Sequence, residues 1–311
     1  MTEPSLALYH RRHVGNLLAM WVAATRPAFL SASVLPVIAA SAYAWYLHTG
    51  AFSFPLVLAA IVNIALIHLG ANALNDYFDA KNGSDAANQA RIYPFTGGSR
   101  FIQNGVMRAE EVRNLGMVLM AAGALMGLYL SAITGPTLLY IGLTGGVFAA
   151  LYSMPGGLAP KGLGDLTIAL CFGILPAIGV SYMLLGHIPA GAWWLGLVMG
   201  SFTAAILWVN SIPDIEADKQ AGKNTLPVRL GAALARHGLA VLFGIGALSL
   251  IAAPVPLWPK GALLALIPSA LASRALRRGQ LIPAIPFTLL AHASLCLLLA
   301  IGFIVARGVG G

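Results

Sequence analysis

Charge is scarce in this chain. Only 9% of its 311 residues are Asp, Glu, Lys or Arg, and 59% are hydrophobic. A soluble domain carries roughly 25% charged residues. The mean hydropathy of +0.82 agrees, so a soluble globular class is excluded and an integral membrane protein is left. Cysteine is nearly absent too. Cys171 and Cys296 both lie inside apolar runs, with no metal-ligand spacing. They read as small buried hydrophobes, which excludes a disulfide framework and a thiolate metal centre. A cleavable signal peptide is also lacking as an expectation. Arg11 and Arg12 precede an apolar stretch that continues through Arg26 and Pro27 without a cleavage-like site.

Long apolar sequence is what the chain has in abundance. A membrane-spanning helix needs about 20 largely apolar residues. Nine segments are candidates: 27–47, 54–75, 112–133, 137–153, 164–185, 190–212, 232–252, 261–276 and 283–306. The expectation is an all-α polytopic protein with nine transmembrane helices in one bundle. It forms a single domain over 1–311, with 1–24 as an N-terminal cytoplasmic segment. With nine spans, sixteen of the eighteen Lys and Arg fall on the N-terminal side; only Lys260 and Arg307 fall on the other. The positive-inside rule then places the N-terminus and the loops 76–111, 154–163 and 213–231 in the cytoplasm. All ten acids share that side. Topology thus accounts for the net charge of +8, and no nucleic-acid partner is expected. Polar chemistry confined to one face also argues against a cation-coupled transporter, which needs polar groups at both mouths and near mid-span.

Six of the ten acids sit in two segments: Asp76, Asp79 and Asp85, then Asp214, Glu216 and Asp218. Ionisable clusters at a membrane boundary mark function by default. Asn72, Asp76 and Asp79 stand at i, i+4, i+7 and share one face if the second span continues through them. Asn75 borders that face. Asn210, Asp214 and Asp218 stand at i, i+4, i+8, with Pro213 between them as a kink or the start of a new segment. Stacked carboxylates repel each other, and a hard divalent cation removes the repulsion. Carboxylate and amide oxygens are the ligands Mg²⁺ takes, usually shared with substrate phosphate. Arg26, Lys81, Arg91, Arg100, Lys161, Lys219, Lys223 and Arg229 lie beside the clusters. They supply a clamp for a polyanion, or, for some of them, topology signals and headgroup contacts. Each segment runs apolar helix, Asn, spaced Asp, then Lys, Gly and Arg, which hints at a weak internal repeat of about four spans.

These motifs carry a resemblance. Asn72-x-x-Asn75-Asp76-Tyr77-Phe78-Asp79, then Lys81-Asn82-Gly83-x-Asp85 and Thr96-Gly97-Gly98-Ser99, resembles the first motif of the UbiA superfamily of intramembrane prenyltransferases. The second motif is matched by Asn210-x-x-Pro213-Asp214-x-Glu216-x-Asp218-Lys219-x-x-Gly222-Lys223-x-Thr225-Leu226-x-Val228-Arg229-Leu230-Gly231. Thr25-Arg26-Pro27, Tyr152-Ser153 and Lys161-Gly162-Leu163-Gly164 also fit, so the resemblance covers about residues 25–285. Within the superfamily the chain looks most like the 1,4-dihydroxy-2-naphthoate polyprenyltransferases of menaquinone synthesis. The Arg-Pro pair usual in 4-hydroxybenzoate prenyltransferases is replaced by Tyr93-Pro94 and a Gly-Gly turn. Arg100 after Ser99 is a small departure, and Asp165 stands where Glu is frequent.

The resemblance implies a Mg²⁺ cofactor held by Asn72, Asp76, Asp79, Asn210, Asp214 and Asp218. It implies catalytic roles for Asp76, Asp79, Asp214 and Asp218. Arg26, Lys81, Arg91, Arg100, Tyr152, Lys161 and Lys223 are expected to bind substrate. The partners implied are a polyprenyl diphosphate, an aromatic acceptor and membrane lipid, in a bacterial cytoplasmic membrane. For a dihydroxynaphthoate, carbon attack is coupled to loss of the carboxylate; another acceptor, such as 4-hydroxybenzoate, homogentisate, a chlorophyllide or a glycerol ether, is the alternative. The rings of Tyr77, Tyr93 and Tyr152 stabilise an allylic cation or act as interfacial anchors. His68, one turn before Asn72, is a packed helix histidine or a support for the site.

Overall fold

The computed structural model describes residues 2–9, 14–50, 52–83, 91–153 and 157–310. Asp85, Arg11 and Arg12 lie outside the described residues. Thirteen helices follow in chain order among the described residues: α1 (Val14–Ala24), α2 (Ser31–Leu47), α3 (Phe54–Asn82), α4 (Ala109–Thr134), α5 (Pro136–Ser153), α6 (Ala159–Leu185), α7 (Ala190–Ser211), α8 (Ile215–Gln220), α9 (Leu226–Ala235), α10 (Gly238–Ala252), α11 (Leu257–Lys260), α12 (Leu266–Arg277) and α13 (Leu281–Gly310). No strand occurs among them, so the chain is all-α.

Helix occupies all nine apolar segments. Six helices among the described residues are long and apolar enough to cross a membrane, or seven if the bent α9–α10 pair forms one span. The count of nine is not reached, for two physical reasons. At 18 residues, α5 is about 27 Å long, just short of a hydrocarbon core of about 30 Å. The eighth segment begins as a 3-10 helix, Gly261–Ala265, which leaves the α-helical part, α12, at 12 residues. The seventh is sharply broken: α9 and α10 meet at 101°. Trp208 on α7 holds that break. Its Nε1 donates to the Ala235 carbonyl at 2.8 Å, and its ring fills the space a side chain at Gly238 would need.

The bundle packs closely where small residues allow it. On α6 and α7, a Cβ at Gly173 would stand 2.2 Å from the Gly200 Cα, and one at Gly200 would stand 2.4 Å from the Ala169 carbonyl oxygen. Backbone therefore meets backbone there, a packing that membrane helices use because lipid gives no hydrophobic drive for association. Asn63 Nδ2 donates to the Gly123 carbonyl at 2.7 Å and ties α3 to α4. Met20 and Ala24 of α1 are buried against Ala73, Phe101, Val106, Met107 and Val112. This small satellite core seats the loop 91–108 on the end of α3. Val14, Leu18 and Val22 on the opposite side of α1 are exposed.

Candidate functional site

A cavity of about 1940 Å³ runs between α3, α4, α5, α6 and α7. On α3 its lining extends from Ala60 to Lys81, about 30 Å at 1.5 Å per residue. Ile64, Ile67, Leu138, Ile141, Leu175 and Met183 line its long apolar part. The exposed side chains of Leu128, Leu143 and Val147 also line it, so the apolar part opens laterally between α4 and α5.

The polar end gathers both Asn/Asp clusters. Asn72, Asn75, Asp76 and Asp79 from the last turns of α3 line it, as do Asn210, Asp214 and Asp218 from the α7–α8 region. The second cluster is not on one helix. Helix α7 stops at Ser211 and α8 starts at Ile215, because Pro213 cannot continue the hydrogen-bond ladder. The turn is still preserved by the Asp218 N–H, which donates to the Asp214 carbonyl at 2.8 Å, so all three side chains reach the same cavity.

Local geometry fixes the first cluster. Arg26 takes a left-handed backbone conformation, φ 56°, at the break between α1 and α2. Its Nη2 donates to the Phe95 carbonyl at 3.0 Å, and its Nη1 stands 3.9 Å from the buried carboxylate of Asp76. The other Asp76 oxygen accepts the Ser99 N–H at 2.9 Å. Asn72 Nδ2 donates to the Thr25 carbonyl at 3.0 Å, and Asn75 Nδ2 donates to Asp79. The Gly97-Gly98-Ser99 segment is thus a backbone clamp on the first Asp.

Lys223 joins the halves. Its Nζ donates to Asp79 Oδ1 at 3.0 Å and stands 3.4 Å from Asp218 Oδ1. Burial disfavours the ammonium, but the two carboxylates outweigh it and hold its pKa above the ordinary lysine value. Burial raises the Asp218 carboxyl, with the Lys223 ammonium opposing and Asp79 reinforcing it. One ammonium shared by two carboxylates leaves the cluster short of positive charge.

Among the described residues no three Asp, Glu, His or Cys stand together as a ready metal site. The donor chemistry nevertheless fits a hard cation. The seven amide and carboxylate side chains of the two clusters face one cavity, and the buried Asn210 Oδ1 has no hydrogen-bond partner. Oxygen ligands of this kind suit Mg²⁺ or Ca²⁺ and not a soft metal.

Of the basic residues, Arg26, Lys81, Lys161 and Lys223 line the cavity. Arg91 does not; its Nε pairs with Glu3 at 2.8 Å. Arg100 is buried at φ 66° and also lies off the lining. Arg229 stands behind the site. Its Nη2 donates to the Lys161 carbonyl at 2.6 Å and its Nε to the Asn224 carbonyl at 3.0 Å. Tyr152 lines the cavity, whereas Tyr77 and Tyr93 do not; Arg113 lies over the Tyr77 ring. His68 lines the cavity, packs edge-on against Phe172 at 5.2 Å, and has a buried Nδ1 without a partner. Sequence reasoning missed the aromatic walls Phe29, Phe95 and Phe172, since a Phe in an apolar run carries no signal of its own.

Comparison with known proteins gives one family. Residues 33–282 match the UbiA prenyltransferase family. The chain is 30% identical over 273 residues to a 1,4-dihydroxy-2-naphthoate octaprenyltransferase of Mycobacterium leprae, covering 85% of this chain and 88% of that protein. It is 33% identical over 225 residues to the protein of the same description from Escherichia coli, covering 70% of each. Among solved structures, a UbiA homologue from Archaeoglobus fulgidus bound to DMAPP and Mg²⁺ shares the fold. Its TM-score is 0.61 at 16% identity, covering 93% of this chain and 99% of that one.

Proposed function

The chain belongs to the UbiA prenyltransferase family, and on that premise we propose that it transfers a polyprenyl group from its diphosphate to 1,4-dihydroxy-2-naphthoate, in menaquinone synthesis. One observation carries this reading. Lys223 bridges Asp79 of the first cluster and Asp218 of the second at the polar end of a cavity that extends about 30 Å along α3 in all and is mostly apolar beyond that end. A polyanionic head and a long hydrocarbon tail match those two parts.

Asn72, Asp76, Asp79, Asn210, Asp214 and Asp218 are the residues that would hold Mg²⁺. Bound there, the cation neutralises charge on the departing diphosphate. Lys81 and Lys223 contact the diphosphate oxygens, while Arg26 and Lys161 contact diphosphate or the acceptor carboxylate. Tyr152 and the Phe rings of the wall face the allylic cation. The apolar walls keep water from quenching that cation. Helices α5 and α12 complete nine crossings in this reading, with the polar end and its loops on the cytoplasmic face. The bacterial relatives support placement in a cytoplasmic membrane.

Product mass tests the assignment. Purified protein with Mg²⁺ and a polyprenyl diphosphate is offered dihydroxynaphthoate or 4-hydroxybenzoate separately. Prenylated, decarboxylated naphthoquinol is the expected product; prenylation of hydroxybenzoate alone would overturn the acceptor.

A further inference from the structure

The cavity carboxylates differ in how they are occupied. Asp76 accepts the Ser99 N–H and faces Arg26. Asp79 is held by Asn75 and Lys223, and Asp218 by Lys223; Asp214 also has a partner. Asp165 differs from all four. It lines the cavity, its Oδ1 is buried without a hydrogen-bond partner, and no ion pair to it is found among the described residues.

Its place in the fold is specific. Residues Ala159–Leu163 make a wide turn with Gly162 at φ 76°, and Asp165 stands in the first turn of regular helix that follows. Lys161, also on the cavity wall, lies four residues earlier. Phe172, seven residues later on the same wall, meets His68 across the cavity. A buried polar atom left without a partner costs about 1–3 kcal/mol, so it needs a reason to stand there.

We propose that Asp165 is the catalytic base that accepts the acceptor's hydroxyl proton. The proposal rests on the prenyl-transfer reading above. With the acceptor carboxylate toward Lys161, the neighbouring ring hydroxyl gives its proton to Asp165. The electron pair of the carboxyl-bearing ring carbon forms the new bond to the prenyl C1, and the C–O bond to diphosphate breaks with its pair leaving on diphosphate. The acceptor carboxylate departs as CO₂, leaving its bonding pair in the ring. Aromaticity returns as a naphtholate, which takes the proton back from Asp165. The base is thereby regenerated, and no oxidant or reductant is needed.

The test separates ionisation from transfer. Wild type, Asp165→Asn and Asp165→Glu are purified and given Mg²⁺ and polyprenyl diphosphate. Binding of the diphosphate, its release without acceptor, and transfer to dihydroxynaphthoate are measured. Asp165→Asn is expected to bind and to release diphosphate within about twofold of wild type. Transfer is expected to fall about 10²–10⁴-fold, the usual contribution of a general base, and Asp165→Glu to recover part of it. A halogenated naphthoate with a more acidic hydroxyl is expected to suffer a smaller loss in both variants. Transfer at the wild-type rate in Asp165→Asn overturns the proposal. So does an equal loss for both acceptors, or a loss of diphosphate binding in parallel with transfer. If wild type itself releases no diphosphate with Mg²⁺, the functional reading fails instead, which is a different result.

Discussion

The Lys223 ammonium lies 3.0 Å from the Asp79 carboxylate, joining residues 144 positions apart in the sequence. It also stands 3.4 Å from Asp218. The two clusters at the ends of α3 and α7 are therefore two halves of one charged surface. Replacing Lys223 with Met removes that link and, on the proposed function, a diphosphate contact. Hydrogen bonds to charged groups contribute about 1.5–3 kcal/mol, and tenfold is about 1.4 kcal/mol. kcat/KM for the prenyl diphosphate is expected to fall about 10–100-fold in steady-state assays. An unchanged value removes Lys223 from the site.

Arg229 does not reach the cavity but holds the Lys161 carbonyl and the Asn224 carbonyl. It is a positioning residue for the Lys161 turn. Arg229→Gln is expected to raise the KM for the aromatic acceptor about tenfold while leaving prenyl-diphosphate binding near wild type. Arg229→Lys restores charge but not the two-pronged contact, and is expected to recover little. Separate titrations of the two substrates check this.

Packing between α6 and α7 sets a structural prediction. A Cβ at Gly200 would press on the Ala169 carbonyl oxygen at 2.4 Å. Neither backbone can move without parting the helices. Gly200→Val is expected to cost about 1–3 kcal/mol, the usual penalty for overpacking, and to lower the apparent Tm in detergent by several degrees. Gly222→Ala, with open space around its Cβ site but φ 73°, carries only backbone strain and serves as the contrast.

Glu3 ties the N-terminal segment to the loop 91–108. Its carboxylate accepts Arg91 Nε at 2.8 Å and Asn104 Nδ2 at 3.3 Å. The Arg91 hydrogen bond holds the Glu3 carboxyl below its ordinary range, against the smaller opposing effect of burial. A carboxyl depressed by folding stabilises above its unfolded pKa, about 4.3, and loses that contribution as pH falls through its folded value. A nitroxide on the exposed Ser5 is therefore expected to be immobile at pH 7 and to gain mobility as the pH falls through the lowered Glu3 value. Glu3→Gln is expected to show the mobile spectrum already at pH 7.

Much of this was legible from local pattern. Apolar runs read as helices because hydropathy is a property of contiguous residues, and the Asn72, Asp76, Asp79 spacing is set by helix period alone. The rest depends on contacts distant in sequence. Arg91 lies beside the first cluster in sequence, whereas its Nε pairs with Glu3, 88 residues away, off the cavity lining. The Gly97-Gly98-Ser99 run looks like an acceptor signature, whereas its Ser99 N–H clamps Asp76 from 23 residues away. Pro213 left open whether the second cluster was kinked or split, and α7 ends at Ser211. A short helix such as α5 and the break between α9 and α10 at Trp208 have no signature in mean hydropathy, because composition does not record where a helix ends or bends.

Binding of a polyprenyl diphosphate to Asp76→Asn and Asp214→Asn, measured with Mg²⁺ and after chelation, addresses the divided site most directly. Wild type is expected to bind only with the metal. Each single substitution, one in each half, is expected to weaken metal-dependent binding at least about tenfold while the protein stays monodisperse in detergent. Metal-dependent binding at wild-type strength in either variant, or wild-type binding indifferent to chelation, contradicts a site shared between the ends of α3 and α7.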